Sequence, residues 1–230
     1  MQYAAEFRVE AKTREQATYE VLRREIIAGR WADRQPLVTS RLASELGVSR
    51  ITVANAFKRL SAEGFVQLEP HKEAVVAPLE RQDIRQVFLM RAELEELCAR
   101  EAALLITAEV LGELHSINEE IGQLEKDESS DLRAKRAVDL RFHRCLRRAS
   151  GMPLLVSTLD NLADRSEGYR ARLLDSHHIY MPTTARHVPI LEALENRNAV
   201  RAGELMNIHV LEGLEAITAM LERSSFGSNL

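Results

Sequence analysis

VTSRLASELGVSRITVANAFKRLSAEGFVQLEP, residues Val38 to Pro70, decides the fold of the first part of this chain. Two short apolar-periodic segments meet at a tight Gly47-Val48 corner, which is the pattern of a helix-turn-helix. In the first segment Leu42, Ala43 and Leu46 share one face. After the corner Ser49 is placed to cap a second helix whose Val53, Phe57 and Leu60 form the buried stripe. The opposite face carries Arg50, Thr52, Asn55, Lys58 and Arg59, base-edge hydrogen-bonders and phosphate-binding cations with no acid among them. Glu63 and Gly64 close the helix.

Beyond that corner, Phe65-Val66-Gln67-Leu68 and Ala74-Val75-Val76-Ala77 read as two short strands around the polar tip Glu69-Pro70-His71-Lys72-Glu73, a β-wing. The DNA-facing set expected from this arrangement is Arg41, Ser49, Arg50, Thr52, Asn55, Lys58, His71 and Lys72. The LA..LGVSR, V..A...L and EG elements, with the leading helix before them, resemble the winged-helix domain of GntR-type bacterial transcription regulators over roughly Gln16 to Leu79. Three positions depart from that resemblance. Ser40 and Ala54 stand where the family often has Arg, and Glu73 stands where the wing tip usually has Gly. The alternative use for such a fold is a winged helix devoted to protein contacts.

The chain has 230 residues, enough for two small domains with apolar cores. Charge supports a division near Leu79. Residues 1–79 carry 12 Lys+Arg against 10 Asp+Glu, whereas the remainder carries 19 against 25. The basic excess thus sits with the helix-turn-helix but is small, which argues for site-specific duplex binding by a local patch rather than a general nucleic-acid coat. No apolar run reaches the length needed to span a bilayer, and the charged start MQYAAEFRVEAKTRE lacks a secretory apolar core. Cys98 and Cys145 fall in apolar-periodic helical segments and read as buried free thiols, so a cytoplasmic protein is expected. The first dozen residues read as a loose arm, and a first helix spans Arg14 to Ala28, before Gly29.

From Glu80 onward strand signals vanish and apolar residues recur at helical spacing, which predicts an all-α six-helix bundle. The expected helices are Arg81 to Leu105, Ala108 to Lys126, Ser130 to Ala149, Pro153 to Leu174, Met181 to Arg197 and Ala199 to Glu222, with Asp175 to His178 as a loop. The fold class is therefore mainly α: a winged helix-turn-helix over residues 1–79 and a helical bundle over residues 80–230.

In that bundle Asp139 and His143 stand at i and i+4, a carboxylate and an imidazole one turn apart on one face, a pair able to grip a metal ion. His187 and His209, on the last two helices, sit beside apolar residues expected to face the core. On spacing alone, inward histidines are as readily hydrogen-bonded core residues. The strings D..FH..L..ASG.PLL (Asp139 to Leu155), H..ILEAL (His187 to Leu194) and M..H (Met206 to His209) resemble the FCD effector domain that follows the winged helix in the FadR-type branch of the family. Arg91-Ala92-Glu93-Leu94-Glu95 resembles its first long helix. In the metal-binding members one Asp and three His hold a divalent cation, and the matching positions are Asp139, His143, His187 and His209.

Such a set suits zinc best, with nickel, manganese or iron also compatible, and leaves coordination positions for water or a ligand. The resemblance implies a repressor released by a small organic acid at that metal, with Arg91 as a second anchor or else as a structural ion pair. Arg165, Arg170 and Arg172 read as solvated, and His71, His115, His177 and His178 as surface or loop residues, with His71 alternatively against the DNA backbone. One winged helix reads too few base pairs for a genome, so a homodimer on a pseudo-palindromic double-stranded operator is expected, joined through the bundle and coupled across Pro78 to Asp83. The rival readings are a metal-sensing regulator and a metal-dependent hydrolase. The hydrolase lacks a general base placed beside the four ligands.

Overall fold

A computed structural model describes residues 14–70, 72–78, 80–174 and 182–226, with side chains described except at 172–174 and 223–226. The expected N-terminal arm, His71, Leu79, His177, His178 and the Asp175 to His178 loop lie outside the described residues. The chain divides into two compact units, Met1–Leu79 and Glu80–Leu230.

The first unit runs α1 (Arg14–Ile27), β1 (Pro36–Leu37), α2 (Thr39–Leu46), α3 (Arg50–Ala62), β2 (Val66–Gln67) and β3 (Ala74–Val76). Local chemistry sets its corners. Gly29 has φ 73° just after α1, a left-handed backbone that a side chain would strain. Gly47, φ 63°, ends α2 and returns its N–H to Ala43 and Ser44 oxygens. Ser49 then caps α3 by accepting a hydrogen bond from the Thr52 N–H. The apolar faces converge as their periodicity requires, with Leu22, Ile26, Leu37, Val53, Phe57, Leu60 and Val76 almost completely buried. The wing is a three-stranded antiparallel sheet in the order β1-β3-β2, with Leu37 opposite Ala74 and Val66 opposite Val76. Its first strand, only two residues long, was not expected from the sequence.

The second unit holds α4 (Arg81–Leu105), α5 (Ala108–Lys126), α6 (Leu132–Ala149), α7 (Pro153–Leu174), α8 (Thr184–Glu195) and α9 (Ala199–Phe226). Thr107 and Asp131 cap α5 and α6 by accepting from the Val110 and Arg133 amides. Ser150 and the left-handed Gly151, φ 67°, end α6, and Pro153 opens α7, where its missing N–H costs nothing. The fifth bundle helix starts at Thr184, three residues after the expected Met181. The long helices α4 and α9 lie against each other. Arg81 Nη2 donates to the Leu221 carbonyl at one end, and at the other Gly203 lets the backbones close up. A Cβ there would lie 2.4 Å from Arg100 Cγ and 3.0 Å from Glu96 Cγ.

The interior of this unit is unusually charged. Glu95, fully buried, takes Arg91 and Arg147 on the same oxygen at 3.0 Å each, and Arg136 pairs with Glu167 at 2.7 Å. Cys98 is buried as expected while Cys145 is only half-buried. Both are free, and burial pushes both thiols up to about 11. No helix among the described residues is long and apolar enough to cross a membrane.

Candidate metal centre and nucleic-acid interface

One turn of α6 presents Asp139 and His143 on the same side, α8 brings His187 and α9 brings His209. His143, His187 and His209 each offer a ring nitrogen, and the three lie within 4.8 Å of one another. His143 Nε2 and His209 Nε2 are 3.2 Å apart, and His187 Nε2 is 3.6 Å from Asp139 Oδ1. Two imidazole nitrogens on one zinc ion, each at about 2.0–2.1 Å in tetrahedral geometry, stand roughly 3.3 Å apart, so the spacing fits a shared cation. The fit is also chemical. Asp139 Oδ1 and His187 Nε2, 3.6 Å apart, are both buried without a hydrogen-bond partner. Buried polar atoms left in that condition are costly unless something fills the gap between them.

Electrostatics prepare the same donors. Burial pushes all three imidazoles down to about 3, against a partial upward pull from Asp139. Burial alone would raise the Asp139 carboxyl, but His143, Arg170, His187 and His209 outweigh it and hold the group below the usual carboxylate range. At neutral pH the site therefore contains three neutral imidazoles and one carboxylate, the protonation states that a cation requires.

Around these donors stands a supporting layer. Arg170 Nη1 approaches Asp139 Oδ2 at 3.4 Å, Phe142 stacks on the His187 ring at 3.9 Å, and Asn118 Oδ1 lies 3.1 Å from His187 Nδ1. Beside the centre lies a small cavity of about 20 Å³, room for about one water molecule, whose wall includes Arg91, His143, Arg170, Arg186 and His209. Arg91 borders it and also holds the ion pair with Glu95 and donates to Ser166 Oγ at 2.6 Å, so the structural ion pair, one of its two expected roles, is formed. Arg170, expected to be solvated, is instead drawn inward with 16% of its side chain exposed. Its attraction to Asp139, 31 residues earlier, explains the difference.

In the first unit α3 turns its apolar stripe inward and leaves Arg50 and Lys58 exposed, with Thr52 and Asn55 half-buried beside them. Ser49 Oγ and Thr52 Oγ1 are 2.8 Å apart, so both hydroxyls sit at the start of the helix. Arg41 is exposed and paired with Glu45, and Lys72 with Glu69. Both pairs are at the surface, where an ion pair is worth little and yields to a phosphate. Arg59, 51% exposed, is engaged with α1. Its guanidinium stacks 3.6 Å over Tyr19, donates to Gln16 and pairs with Glu63, fastening α3 to α1. The sequence pattern assigns Ile51 no role. It is 73% exposed between Arg50 and Thr52, and a large apolar side chain left in water on that helix is the signal that could have found it.

Two family descriptions match the chain: "Bacterial regulatory proteins, gntR family" over residues 14–76 and "FCD domain" over residues 86–212. This chain belongs to the GntR family, in its FCD-bearing branch. Among similar GntR proteins is the HTH-type transcriptional repressor RspR of Escherichia coli K12, 25% identical over 213 residues, 91% of each chain. Another is the probable D-xylose utilization operon transcriptional repressor of Paenarthrobacter nicotinovorans, 28% identical over 198 residues, 84% of this chain and 83% of that one. The solved structure of E. coli McbR/YncC shares the fold, with a TM-score of 0.77 at 18% identity over 91% of this chain and 99% of that one. The GntR relatives are transcription regulators, so this chain is a regulator and the hydrolase reading falls.

Proposed function

We propose that this GntR-family protein is a homodimeric repressor in the cytoplasm, and that a small organic acid releases it from DNA by binding at a divalent cation in the bundle. Residues 1–79 would read the operator, and residues 80–230 would hold the effector and join the two subunits. The observation that carries the sensing half is the pair of buried, unpartnered atoms Asp139 Oδ1 and His187 Nε2, 3.6 Å apart beside two further imidazoles. Asp139, His143, His187 and His209 would hold the cation. Zinc suits the nitrogen-rich set best, with nickel, manganese or iron within its range. When bound, the cation supplies open positions able to accept a carboxylate oxygen. Arg91, on the wall of the adjoining cavity, would take the acid's other polar end.

On the DNA side Arg50 and Asn55 carry the donors that recognise base edges. Ser49, Thr52, Arg41, Lys58, His71 and Lys72 would hold the phosphates and fix the register. Ile51 offers an apolar contact of the kind a thymine methyl group accepts. Two copies related by a dyad would read the two halves of a pseudo-palindrome. An effector changes DNA affinity only through a preference for one disposition of the two reading heads, passed along Pro78 to Asp83. A preference of about 3 kcal/mol weakens binding roughly 150-fold. Repressor names among the relatives support release rather than recruitment.

The test is selection of fragments bound by the purified protein from its host's genomic DNA at physiological salt, followed by sequencing. Enrichment of one pseudo-palindrome beside a catabolic or transport operon is expected, and that pathway's acid should then lower the affinity of the metal-loaded protein. Absence of any enriched sequence, with and without added zinc, overturns the DNA-reading half. Operator binding that follows zinc and ignores every acid of the pathway makes the protein a metal sensor.

A further inference from the structure

Only one of the three clustered imidazoles has its second ring nitrogen held by a side chain. His143 Nδ1 and His209 Nδ1 are buried without a partner, whereas His187 Nδ1 faces Asn118 Oδ1 at 3.1 Å. Asn118 is itself buried, 6% exposed, on the inner face of α5. Its amide cannot turn over freely. The nitrogen Nδ2 donates to the Thr184 carbonyl, which can only accept, so the oxygen must be the atom presented to the histidine. A carbonyl oxygen in turn accepts only from a ring N–H. His187 must therefore carry its proton on Nδ1, and the lone pair of Nε2 is left pointing at Asp139 Oδ1.

We infer that Asn118 is a positioning residue that selects the Nδ1–H form of His187 and thereby keeps Nε2 as a ready metal donor. The inference rests on the metal reading given above. A second contact from the same helix serves the same end. Glu125 Oε1 accepts from the Thr183 and Thr184 amides at 2.7 and 3.3 Å, and so satisfies the start of α8, whose own Thr183 makes no side-chain cap. Asn118 and Glu125, two turns apart on α5, thus grip the first turn of the helix that carries His187. Phe142, stacked on the ring 3° from parallel, removes its remaining freedom to rotate. In the opposite tautomer the Nε2 proton would lie against Asp139 and close the site to a cation.

Asn118→Leu and Asn118→Asp of the full chain test this, read by long-range proton–nitrogen NMR of the metal-free histidine rings and by titration with zinc. Wild type should show His187 as the Nδ1–H tautomer. Asn118→Leu should shift it towards Nε2–H and weaken zinc by about 10–100-fold, the usual cost of losing such an outer partner. Asn118→Asp keeps an acceptor towards the ring but loses the donor to Thr184, so it should retain the tautomer and bind zinc within a few-fold of wild type. If Asn118 merely braced α8 through Thr184, the aspartate would fail as badly as the leucine, which overturns the inference. So does an unchanged His187 tautomer in Asn118→Leu, or a changed one in Asn118→Asp should the leucine variant not fold. Wild type that takes up no zinc, manganese or nickel sinks the metal reading instead, while the NMR result still decides what Asn118 does to the ring.

Discussion

Arg147→Met removes the guanidinium that ties three helices together inside the bundle. Arg147 on α6 is 1% exposed, donates to Glu95 of α4 at 3.0 Å and forms an ion pair with Asp160 of α7 at 3.0 Å. Asp160 is 43% exposed and can rehydrate, so its loss contributes little. Glu95 cannot, being completely buried. Burial alone would raise Glu95, but Arg147 and Arg91 hold it down to about 2, and the variant leaves Arg91 as the arginine paired with it. At an effective dielectric near 20 and a charge separation near 4 Å, a pair of this kind is worth about 4 kcal/mol. Truncating one member of a buried pair typically costs about 3–5 kcal/mol. Because Arg91 stays at 3.0 Å, the lower end applies, about 3 kcal/mol. At roughly 2–4 °C per kcal/mol for a chain of this size, thermal unfolding should move down by about 6–12 °C. The double variant Arg147→Met/Glu95→Gln removes the stranded charge and should cost less than the two singles added together. Calorimetry of all four proteins gives the cycle. A single-variant loss below about 1 kcal/mol, or strict additivity, would refute the view that Arg147 neutralises a buried carboxylate.

Arg50→Ala should reduce affinity for the selected operator by about 1–3 kcal/mol if its guanidinium reads a base, with little effect on competitor DNA, as measured by fluorescence anisotropy. Ile51→Ala should weaken binding to a thymine-containing operator but not to the same operator with uracil in place of thymine, and equal losses on both would exclude a methyl contact. His143→Ala should lower the zinc content measured by atomic emission while leaving operator binding intact, and unchanged content removes His143 from the ligand set. For the metal-free protein, the three imidazoles lie at about 3 in the fold against an ordinary 6.5, so below pH 6.5 the unfolded chain takes up protons that the folded one refuses. Stability should be full above about 6.5 and decline as pH falls towards 5, with zinc shifting the decline to lower pH. A flat urea midpoint across that range would mean that the rings are not held neutral.

What could be read from the sequence follows from how far apart the responsible residues lie. Gly47, Ser49 and the Val53, Phe57, Leu60 stripe are local signals, and the helix-turn-helix they specify forms as read. Asp139 and His143 share a helical turn, so their meeting was legible, whereas spacing alone could not say that His187 and His209 would converge on them. β1 escaped notice because its two residues are extended only through pairing with Val75 and Ala74, nearly forty positions later. Arg59 was misplaced for a related reason: a helical wheel shows which way α3 faces but not that Tyr19 of α1 offers a ring to stack on. Arg170 and Asn118 carry no motif at all. Their roles exist only once α7 reaches α6 and α5 reaches α8.

Gly203 has a mechanical meaning. A methyl group there would press on the Glu96 and Arg100 stems of α4, and at the far end Arg81 donates to the Leu221 carbonyl, so α4 and α9 meet closely at both ends. Between those ends α9 bears His209, while α4 begins just after the chain leaves residues 1–79. Under the proposed function, a ligand-dependent shift at His209 would have this closely packed pair of helices as its route towards the junction. Gly203→Ala would press the two helices apart at that crossing, and on the proposed reading it should weaken the dependence of DNA binding on the effector.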